Sequence, residues 1–323
     1  TQGPKVPEFE NSISTRFNVK YAIATNSATS SLHLACLALG LKKNDYLWTS
    51  PITFVASANC GLYCSAKIDF VDINPVNGLM DVEKLKAKLK QAEANGSIPK
   101  VIIPVHLAGS SCEMREIYSL SEKYGFKIIE DASHAIGGSY LNKQIGSCQY
   151  SSICIFSFHP VKIITTGEGG VATTNSISLA NKMIQLRSHG ITKDQNKFKY
   201  KANGDWSYEQ QLLGFNYRMS DISAALGISQ LERLDLIVKE RNKIFNNYQD
   251  LIKNLPFSLL EIPLNVYSSL HLAIIRLNSS DKSFHRNIFN EMRSSGIGVQ
   301  VHYTPVHLQP YYRELGFKDG DFP

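Results

Sequence analysis

The stretch "CIFSFHPVKIITTGEGGVATT", Cys154 to Thr174, contains one lysine, Lys162, among apolar and β-branched residues. This composition predicts a buried strand or the edge of one, where an ammonium ion loses its hydration at a cost of several kcal/mol. In one explanation, the aliphatic stem of Lys162 lies on apolar surface and its amine reaches water. In the other, Lys162 is a nucleophile that forms an imine with an aldehyde, because desolvation favours the neutral amine. The segment alone leaves both explanations open.

Outward from this stretch, apolar runs alternate with helical patterns from Tyr21 to about Thr173. The run "YAIAT" precedes the helical "SATSSLHLACLALG", in which Gly40 is suited to end the helix. The same alternation recurs in "YLWTS" with "ITFVASANCGLYCSA", "KIDFVDI" with "DVEKLKAKLKQAEANG", and "KVIIPVHL" with "EMREIYSLSEKYG", and is followed by "FKIIED". It predicts an α/β fold with a mostly parallel central sheet flanked by helices.

The C-terminal third of the chain has a different pattern. Residues Gln195 to Trp206 predict a long loop that covers part of the protein, and "DISAALGISQLERLDLIVKERNKIFNNYQDLIKNL" predicts one long bridging helix closed by Pro256. The segments "LHLAIIRL", "SFHRNIFNEMRSSG" and "GVQVHYTP" predict a strand, a helix and a strand. We therefore expect a large domain over residues 1–230, and a bridging helix with a smaller α+β domain, incomplete at "GDFP", over residues 231–323.

Composition narrows the classes of function. The 323 residues carry a dispersed formal charge of +6 without a basic-aromatic block, which gives little support to nucleic-acid binding. No run of about 18 apolar residues and no signal peptide are found, so we expect no membrane partner and a cytoplasmic location. The six cysteines lack a disulfide rhythm, and Cys60 and Cys64 lack a second close Cys/His pair. We expect core packing there and no metal site.

Two segments have the character of ligand sites, although neither G-x-G-x-x-G after the first strand nor a P-loop occurs. "NSATSS", Asn26 to Ser31, opens a helix whose free N–H groups could hold a phosphate with the hydroxyls of Thr29 and Ser30; a plain helix cap is the alternative. In "IIEDASHAIGG", Asp131 ends an apolar strand, where doubly wound sheets bind ligands. His134 supports Asp131 or a ligand, or is a structural histidine, and Glu130 is interpreted as structural.

Together these residues meet the requirements of pyridoxal 5′-phosphate. This cofactor needs a lysine for its aldehyde, a carboxylate that keeps the pyridine nitrogen protonated, a phosphate cup and a flat side chain against the ring. Lys162, Asp131, Thr29 with Ser30, and Phe54 could supply these four functions.

The residues and their surrounding motifs resemble the pyridoxal-phosphate sugar aminotransferases of the DegT/DnrJ/EryC1/StrS family over essentially the whole chain. The motifs are "TQGPKVPEFE", "TNSATSSLH", "PITFVASAN", "IIEDASHAIGG", "FSFHPVKIITTGEGG", "LRSHGI", "LGFNYRMSDISAALGISQL" and "VHYTP". The resemblance implies a PLP-dependent transferase of fold type I, with a large domain, a small C-terminal domain, and a homodimer whose active sites lie at the subunit interface.

The resemblance also implies roles for individual residues. Lys162 binds the cofactor covalently and Asp131 pairs with the pyridinium nitrogen, so both are expected to be catalytic. The expected cofactor-binding set is Thr29, Ser30, Phe54, Asp131, His134, Ser157, Lys162 and, from the neighbouring subunit, Asn216. Candidates for substrate contacts are Arg218, His302 and Tyr303. As alternatives, Arg218 pairs with Asp221 or another carboxylate and Tyr303 packs in the small domain; His159 shapes the turn before Lys162.

Within the family, "SPITFVASANC", "EDASHAIGG" and "SFHPVKIITTGEGG" are most similar to members of pseudaminic acid biosynthesis. This implies transfer of an amino group from L-glutamate to the C4 keto group of a UDP-linked 4-keto-6-deoxy-N-acetylhexosamine. One alternative is amination at C3 or C4 of another nucleotide-linked ketosugar. A second is a non-catalytic sugar-nucleotide-binding protein on the same fold. Lys162 argues against a third, the related dehydratases, which have histidine at that position.

Overall fold

A computed structural model describes residues 3–323, so the first two residues of "TQGPKVPEFE" lie outside the described part of the chain. The helices are α1 (Lys5–Phe17), α2 (Ala28–Ala38), α3 (Ala56–Tyr63), α4 (Val82–Asn95), α5 (Met114–Tyr124), α6 (Ile177–Arg187), α7 (Asp221–Leu231), α8 (Leu234–Ile252), α9 (Lys282–Ser294) and α10 (Pro310–Glu314). The strands are β1 (Tyr21–Thr25), β2 (Tyr46–Thr49), β3 (Lys67–Phe70), β4 (Val101–Ile103), β5 (Lys127–Asp131), β6 (Ser139–Tyr140), β7 (Lys143–Gln144), β8 (Ile153–Ser157), β9 (Gly170–Thr174), β10 (Ile191–Thr192), β11 (Glu209–Gln210), β12 (Phe257–Leu259), β13 (Val266–Tyr267) and β14 (Ile275–Leu277).

The centre of the fold is a seven-stranded sheet in the order β1-β9-β8-β5-β4-β2-β3. Strands β3, β2, β4, β5 and β8 pair in parallel, whereas β9 is antiparallel to both β8 and β1. The predicted mostly parallel sheet is therefore confirmed, with β9 as its reversed strand. Parallel pairs require crossover connections. Helices α3, α4 and α5 supply those that link β2, β3, β4 and β5, whereas the connection from β5 to β8 contains the hairpin β6-β7.

Helices cover both faces of this sheet because its strands are apolar on both sides. In β1, Ile23 belongs to the core cluster that includes residues of α2, α3 and α6. Its neighbours Ala22 and Ala24 belong to a second cluster, which includes residues of α1, α7 and α8. A third cluster packs α4 and α5 against β2, β4 and β5. The six cysteines are free thiols buried in this interior.

Local sequence signals explain several helix ends. Ser27 caps α2 by accepting a hydrogen bond from the Ser30 N–H at 3.1 Å, as the "NSATSS" pattern predicts for a helix start. Asp81 caps α4 in the same manner, and Gly96 ends it in the left-handed conformation. Gly40 follows α2 with φ of 75°, consistent with its predicted role as a helix terminator.

The structure corrects four predictions. Lys162 lies in the turn between β8 and β9 and not in a strand. The single long helix is two helices, α7 and α8, separated at Glu232 and Arg233. The segment "GVQVHYTP" forms no strand in the described structure, and "LHLAIIRL" forms one only at Ile275–Leu277. The structure also adds the short hairpin β6-β7 after β5, for which the sequence shows no strong periodic pattern.

The last part of the chain is more open than the sheet region. Strands β12 and β14 form a two-stranded antiparallel sheet, and α9 has no buried residue. Strand β13 pairs instead with β6, in a separate three-stranded sheet of the order β13-β6-β7. This pairing joins residues 266–267 to residues 139–140. None of the helices within residues 3–323 has the length and apolar character needed to span a bilayer.

Candidate active site

One edge of the central sheet collects the predicted site residues. Strands β1, β5 and β8 end there at Thr25, Asp131 and Ser157, and their directions agree because β9 is antiparallel to both β1 and β8. The carboxyl ends of parallel strands form the usual ligand crevice of such sheets. The turn that carries Lys162 and the first turn of α2 follow directly from two of these strand ends.

Asp131 is a buried carboxylate held by two donors. Only 5% of the surface of Asp131 is exposed. Its Oδ2 accepts a hydrogen bond from Ser57 Oγ at 2.6 Å, and its Oδ1 accepts one from the Ser133 N–H at 3.1 Å. The main chain of Asp131 is fixed as well, because His106 N–H donates to its carbonyl at 3.0 Å. A charged group buried at a fixed position requires polar or cationic partners, and Asp131 is also close enough to Lys162 for the two charges to interact.

Lys162 is half-buried in the turn after β8, whose geometry is set by a bond from its N–H to the His159 carbonyl at 2.9 Å. Burial lowers the pKa of the Lys162 amine, and the negative charge of Asp131 acts in the opposite direction. Because burial has the larger effect, the neutral nucleophilic form is more populated than in a solvent-exposed lysine. This result agrees with the second explanation of the lysine, although the segment is a turn.

His134 closes another side of this site as an uncharged imidazole. Burial, together with the positive charge of Lys162 and the neighbouring histidines, lowers its pKa well below the usual value. Its Nε2 lies 3.2 Å from the hydroxyl of Tyr303, while its buried Nδ1 has no hydrogen-bond partner. Tyr303 therefore reaches the site itself, and the alternative in which it only packs in the small domain is wrong. Burial and Asp131 raise the pKa of the tyrosine to about 12.

The residues of the predicted phosphate cup lie where α2 meets the end of β8 and the start of β9. Ser157 is paired in register with Gly170, and a Cβ on Gly170 would overlap the backbone of Ala28 in the first turn of α2. Thr29 is half-buried at this helix start, whereas the Ser30 hydroxyl already donates to Asn26 Oδ1 at 2.6 Å. The helix start can supply N–H groups and the Thr29 hydroxyl to an anion, and Ser30 also stabilises the cap.

Phe54 lies just before α3 with 61% of its surface exposed. A large apolar ring exposed to this extent is available to stack on a flat ligand. Its position is linked to Asp131 through Ser57. The Ser57 hydroxyl donates to Asp131 Oδ2, and the Ser57 N–H donates to the Phe54 carbonyl at 3.3 Å.

Asn216 and Arg218 lie on a segment that runs beside the end of β1. The Asn26 N–H donates to the carbonyl of Tyr217 at 2.9 Å, and Arg218 forms a β-bridge with Thr25. The Asn216 side chain is exposed. Within residues 3–323 Arg218 forms no ion pair, and the Asp221 carboxylate accepts the Val6 N–H. The alternative in which Arg218 pairs with Asp221 or another carboxylate is therefore wrong.

His302 and Glu130 occupy contrasting positions. His302 is half-buried, and burial lowers its pKa, with Lys162 also disfavouring the charged form. Glu130 points away from Asp131 and is bound by His106 Nε2 at 2.8 Å and by Ser151. The Cys112 N–H donates to the other ring nitrogen of His106, which leaves Nε2–H as the donor to Glu130. Glu130 is structural, as predicted.

Two residues of the site were not predicted. Ser57 holds the Asp131 carboxylate, and His271 packs on His134 with ring centroids 4.4 Å apart. Ser57 follows Phe54 by three residues in a helical pattern, a spacing that could have indicated a shared face. His271 comes from a distant turn with no local signal, so tertiary structure was needed to find it.

The donor set fits pyridoxal 5′-phosphate. A lysine amine of lowered pKa, a buried carboxylate with one charge, an exposed aromatic face and a helix start are the four features that this cofactor uses. The unpartnered Nδ1 of His134 adds a buried polar atom beside Lys162 that has no protein partner. These residues could hold the cofactor.

Comparison with known proteins agrees with this fit. The sequence matches the DegT/DnrJ/EryC1/StrS aminotransferase family over residues 1–323. It is 42% identical over 316 residues to the UDP-4-amino-4,6-dideoxy-N-acetyl-beta-L-altrosamine transaminase of Campylobacter jejuni subsp. jejuni serotype O:23/36 (strain 81-176), covering 98% of this chain and 80% of the relative.

Solved structures give the same result. Helicobacter pylori PseC, an aminotransferase involved in the biosynthesis of pseudoaminic acid, superposes with a TM-score of 0.87 at 32% identity, covering 98% of this chain and 81% of that one. The PLP-form of Spr1654 from Streptococcus pneumoniae, named as a sugar aminotransferase, has a TM-score of 0.88 at 28% identity, with coverage of 100% and 83%.

Proposed function

Because the chain belongs to the DegT/DnrJ/EryC1/StrS aminotransferase family, and its members depend on pyridoxal phosphate, we propose a specific reaction for it. The enzyme transfers the amino group of L-glutamate to the C4 keto group of a UDP-linked 4-keto-6-deoxy-N-acetylhexosamine. The transaminase at 42% identity and the structural likeness to PseC support this substrate. The observation with the most weight is the buried Asp131 carboxylate beside the Lys162 amine, because burial lowers the pKa of that amine.

Lys162 has two tasks in this proposal. Its amine holds the cofactor covalently, and burial favours the neutral form that this bond requires. Once the amino donor has displaced Lys162 from the cofactor, the Nζ amine of Lys162 is free. It can then take the proton from the donor's Cα and return it to the cofactor carbon. The bond from the Lys162 N–H to the His159 carbonyl fixes the main chain of the turn, so the proposed movement is confined to the side chain.

Asp131 keeps the pyridine nitrogen protonated, and the bound cofactor then supplies an electron sink for the charge that develops at the donor carbon. Ser57 and the Ser133 N–H orient the carboxylate and satisfy part of its hydrogen-bonding capacity. Their bonds fix its direction, so little reorganisation is needed during the reaction. His134 remains uncharged and lies beside Lys162, which avoids a second cation in the site.

Binding of the cofactor involves the surrounding elements. Phe54 stacks on the ring, and the start of α2 with Thr29, Ser30 and Ser157 binds the phosphate. Arg218, His302 and Tyr303 lie on segments from which they can contact the sugar nucleotide; Tyr303 is already fixed against His134. Amination of another nucleotide-linked ketosugar, at C3 or C4, is the second candidate, because it requires the same fold, cofactor and family match.

The active unit in this proposal is a homodimer in which Asn216 reaches the phosphate of the other subunit's cofactor. The exposure of the Asn216 side chain supports it, as does the exposure of two large apolar residues close to it in the chain, Leu213 (83%) and Ile222 (86%). An exposed surface of this kind on an otherwise well-packed fold is typical of an interface. The two-domain organisation, with residues 1–230 as the large domain and 231–323 as the bridging helix and small domain, is part of the same proposal.

Mixed dimers test the shared site. A Lys162→Ala chain and an Asn216→Ala chain are each impaired, but in their heterodimer the second chain keeps Lys162 and receives an intact Asn216 from the first. One of the two sites is then complete, so we expect about half of the wild-type activity per dimer. Absence of recovery in purified heterodimers would place Asn216 in its own chain's site and contradict the shared-site proposal.

The substrate is tested by product identification. The protein is incubated with L-glutamate and, separately, with UDP- and dTDP-linked ketosugars that carry the keto group at C3 or C4, and products are analysed by mass spectrometry. The proposal predicts amination of the UDP-linked 4-keto-6-deoxy-N-acetylhexosamine with release of 2-oxoglutarate. Preference for a C3 keto sugar or a dTDP sugar would support the second candidate. Cofactor binding without amination of any of them would indicate a non-catalytic protein.

A further inference from the structure

His271 lies on an anchored turn that crosses from the C-terminal part of the chain to the site. Its ring centroid is 4.4 Å from that of His134, at an interplanar angle of 43°. The two residues are 8% and 6% exposed, and neither Nδ1 has a hydrogen-bond partner. Burying an imidazole nitrogen without a partner costs about 1–3 kcal/mol. Two such atoms side by side indicate a requirement other than stability.

The turn is held by bonds on both of its sides. Ser269 N–H donates to the Gly109 carbonyl at 3.1 Å, and Ser269 Oγ donates to the carbonyl of His134 itself at 2.9 Å. On the other side, Arg241 Nη1 donates at 3.2 Å to the carbonyls of Leu270 and His271. The backbone that carries the His271 ring is therefore fixed with respect to His134.

Gly109 shows how closely this turn approaches the large domain. A Cβ at that position would lie 2.6 Å from the Leu270 nitrogen, and Gly109 has a φ of 107°, which other residues rarely adopt. The preceding residue, Ala108, accepts the Leu272 N–H at 3.3 Å. Only glycine allows the backbone of residues 269–271 to come this close to the turn that follows β4.

The charges around His271 favour its uncharged form. Burial is the main cause that lowers its pKa to about 3, and Lys162, Arg241 and the charged form of His302 act in the same direction. The Tyr303 hydroxyl meets His134 Nε2, and the Asp131 carboxylate acts on this tyrosine, whose pKa it helps to raise. An uncharged ring at this position excludes water without adding a charge beside Lys162.

We propose that His271 is a positioning residue: its ring packs on His134 and, with it, keeps water from the side of the pocket that contains Lys162. The inference rests on the proposed function in one respect, the assignment of Lys162 as the reactive amine. It extends that function by assigning to the C-terminal segment a part in setting the reactivity of the lysine.

The test measures Lys162 in the full chain freed of cofactor. Acylation of each lysine by acetic anhydride is quantified by peptide mass spectrometry from pH 6 to 10. The pH profile of each lysine is then divided by its own plateau at high pH, which removes differences in how accessible the lysines are to the reagent. His271→Ala and His271→Asn remove the ring and admit water. They should lower the neutral fraction of Lys162 at pH 7 by about threefold to tenfold, because a charged amine is better solvated.

His271→Phe retains the ring volume and removes the unpartnered nitrogen. It should keep the wild-type acylation profile, and its thermal unfolding midpoint should be no lower than that of the wild type. His285→Ala, at an exposed position on α9, is the matched control and should change neither measurement.

An unchanged Lys162 profile in folded His271→Ala and His271→Asn variants would overturn the proposal. A profile in His271→Phe as altered as in the Ala variant would also overturn it, because ring packing would then not be the reason. If the Ala variant fails to fold, the Asn variant decides. Failure of the proposed function is seen separately, as absence of amino transfer by the wild-type protein.

Discussion

Replacement of Asp131 by asparagine removes one charge and keeps the shape of the side chain. In the structure Oδ1 accepts the Ser133 N–H and Oδ2 accepts the Ser57 hydroxyl. The amide oxygen can keep the first bond. The amide nitrogen can donate to Ser57, whose hydroxyl also lies 2.9 Å from Thr53 Oγ1 and can donate there. The fold should therefore tolerate Asp131→Asn.

The chemical effect of Asp131→Asn is larger than its effect on folding. A hydrogen bond to a charged group contributes about 1.5–3 kcal/mol, and each 1.36 kcal/mol corresponds to a tenfold change in rate. Loss of the charge that keeps the pyridine nitrogen protonated should thus slow amino transfer from glutamate by about 10-fold to 150-fold.

The assay is a single-turnover reaction of the cofactor-loaded protein with L-glutamate, followed by the change in visible absorbance. Thermal unfolding of the same samples checks the fold, and Asp250→Asn, an exposed carboxylate on α8, is the matched control. A folded Asp131→Asn protein that reacts within twofold of the wild-type rate would refute the assigned role and place the electron-sink partner elsewhere.

Three further predictions concern packing, pH and cofactor binding. Gly170→Ala should lower the unfolding free energy by about 1–3 kcal/mol and weaken phosphate binding, because its Cβ would overlap Ala28, whereas Gly298→Ala meets no atom within 4 Å; calorimetry and cofactor titration measure both. Burial lowers the pKa of His271 to about 3, so between about pH 6.5 and pH 3 the unfolded chain binds a proton at this residue that the folded chain does not. The unfolding free energy should therefore fall by up to about 1.4 kcal/mol per pH unit as pH falls through that range. Denaturant titrations should show that this free energy falls less steeply with pH in His271→Phe. Pyridoxal phosphate at a hundred times its Kd should stabilise the wild type by about 2.7 kcal/mol, and Lys162→Ala should lose most of this gain in a thermal shift assay.

The sequence predicted the elements that follow from local periodicity. Strands β1, β5 and β8 are short apolar runs, and β-branched residues between helical patterns are sufficient to locate them. The position of Asp131 at the end of β5 followed from the same pattern. These features depend on a few neighbouring residues, so no tertiary information was needed.

The errors have a common physical cause. The apolar run around Lys162 resembled a strand, but Val161 is exposed and the chain turns at His159. Helix α7 ends near Glu232 without a glycine or proline to indicate the break. His271 reaches the site only because a turn held by Gly109 and Arg241 folds back onto it. Contacts between distant segments decided each case, and these are absent from local sequence patterns.

The central claim, that Lys162 holds the cofactor, is tested most directly by trapping the bound molecule. The protein is mixed with pyridoxal phosphate, reduced with sodium borohydride, digested and analysed by peptide mass spectrometry. The account predicts one cofactor-derived mass addition per chain, on Lys162, and none at this site in Lys162→Ala. Stable labelling of a different lysine in the wild type, with Lys162 unmodified, would contradict it.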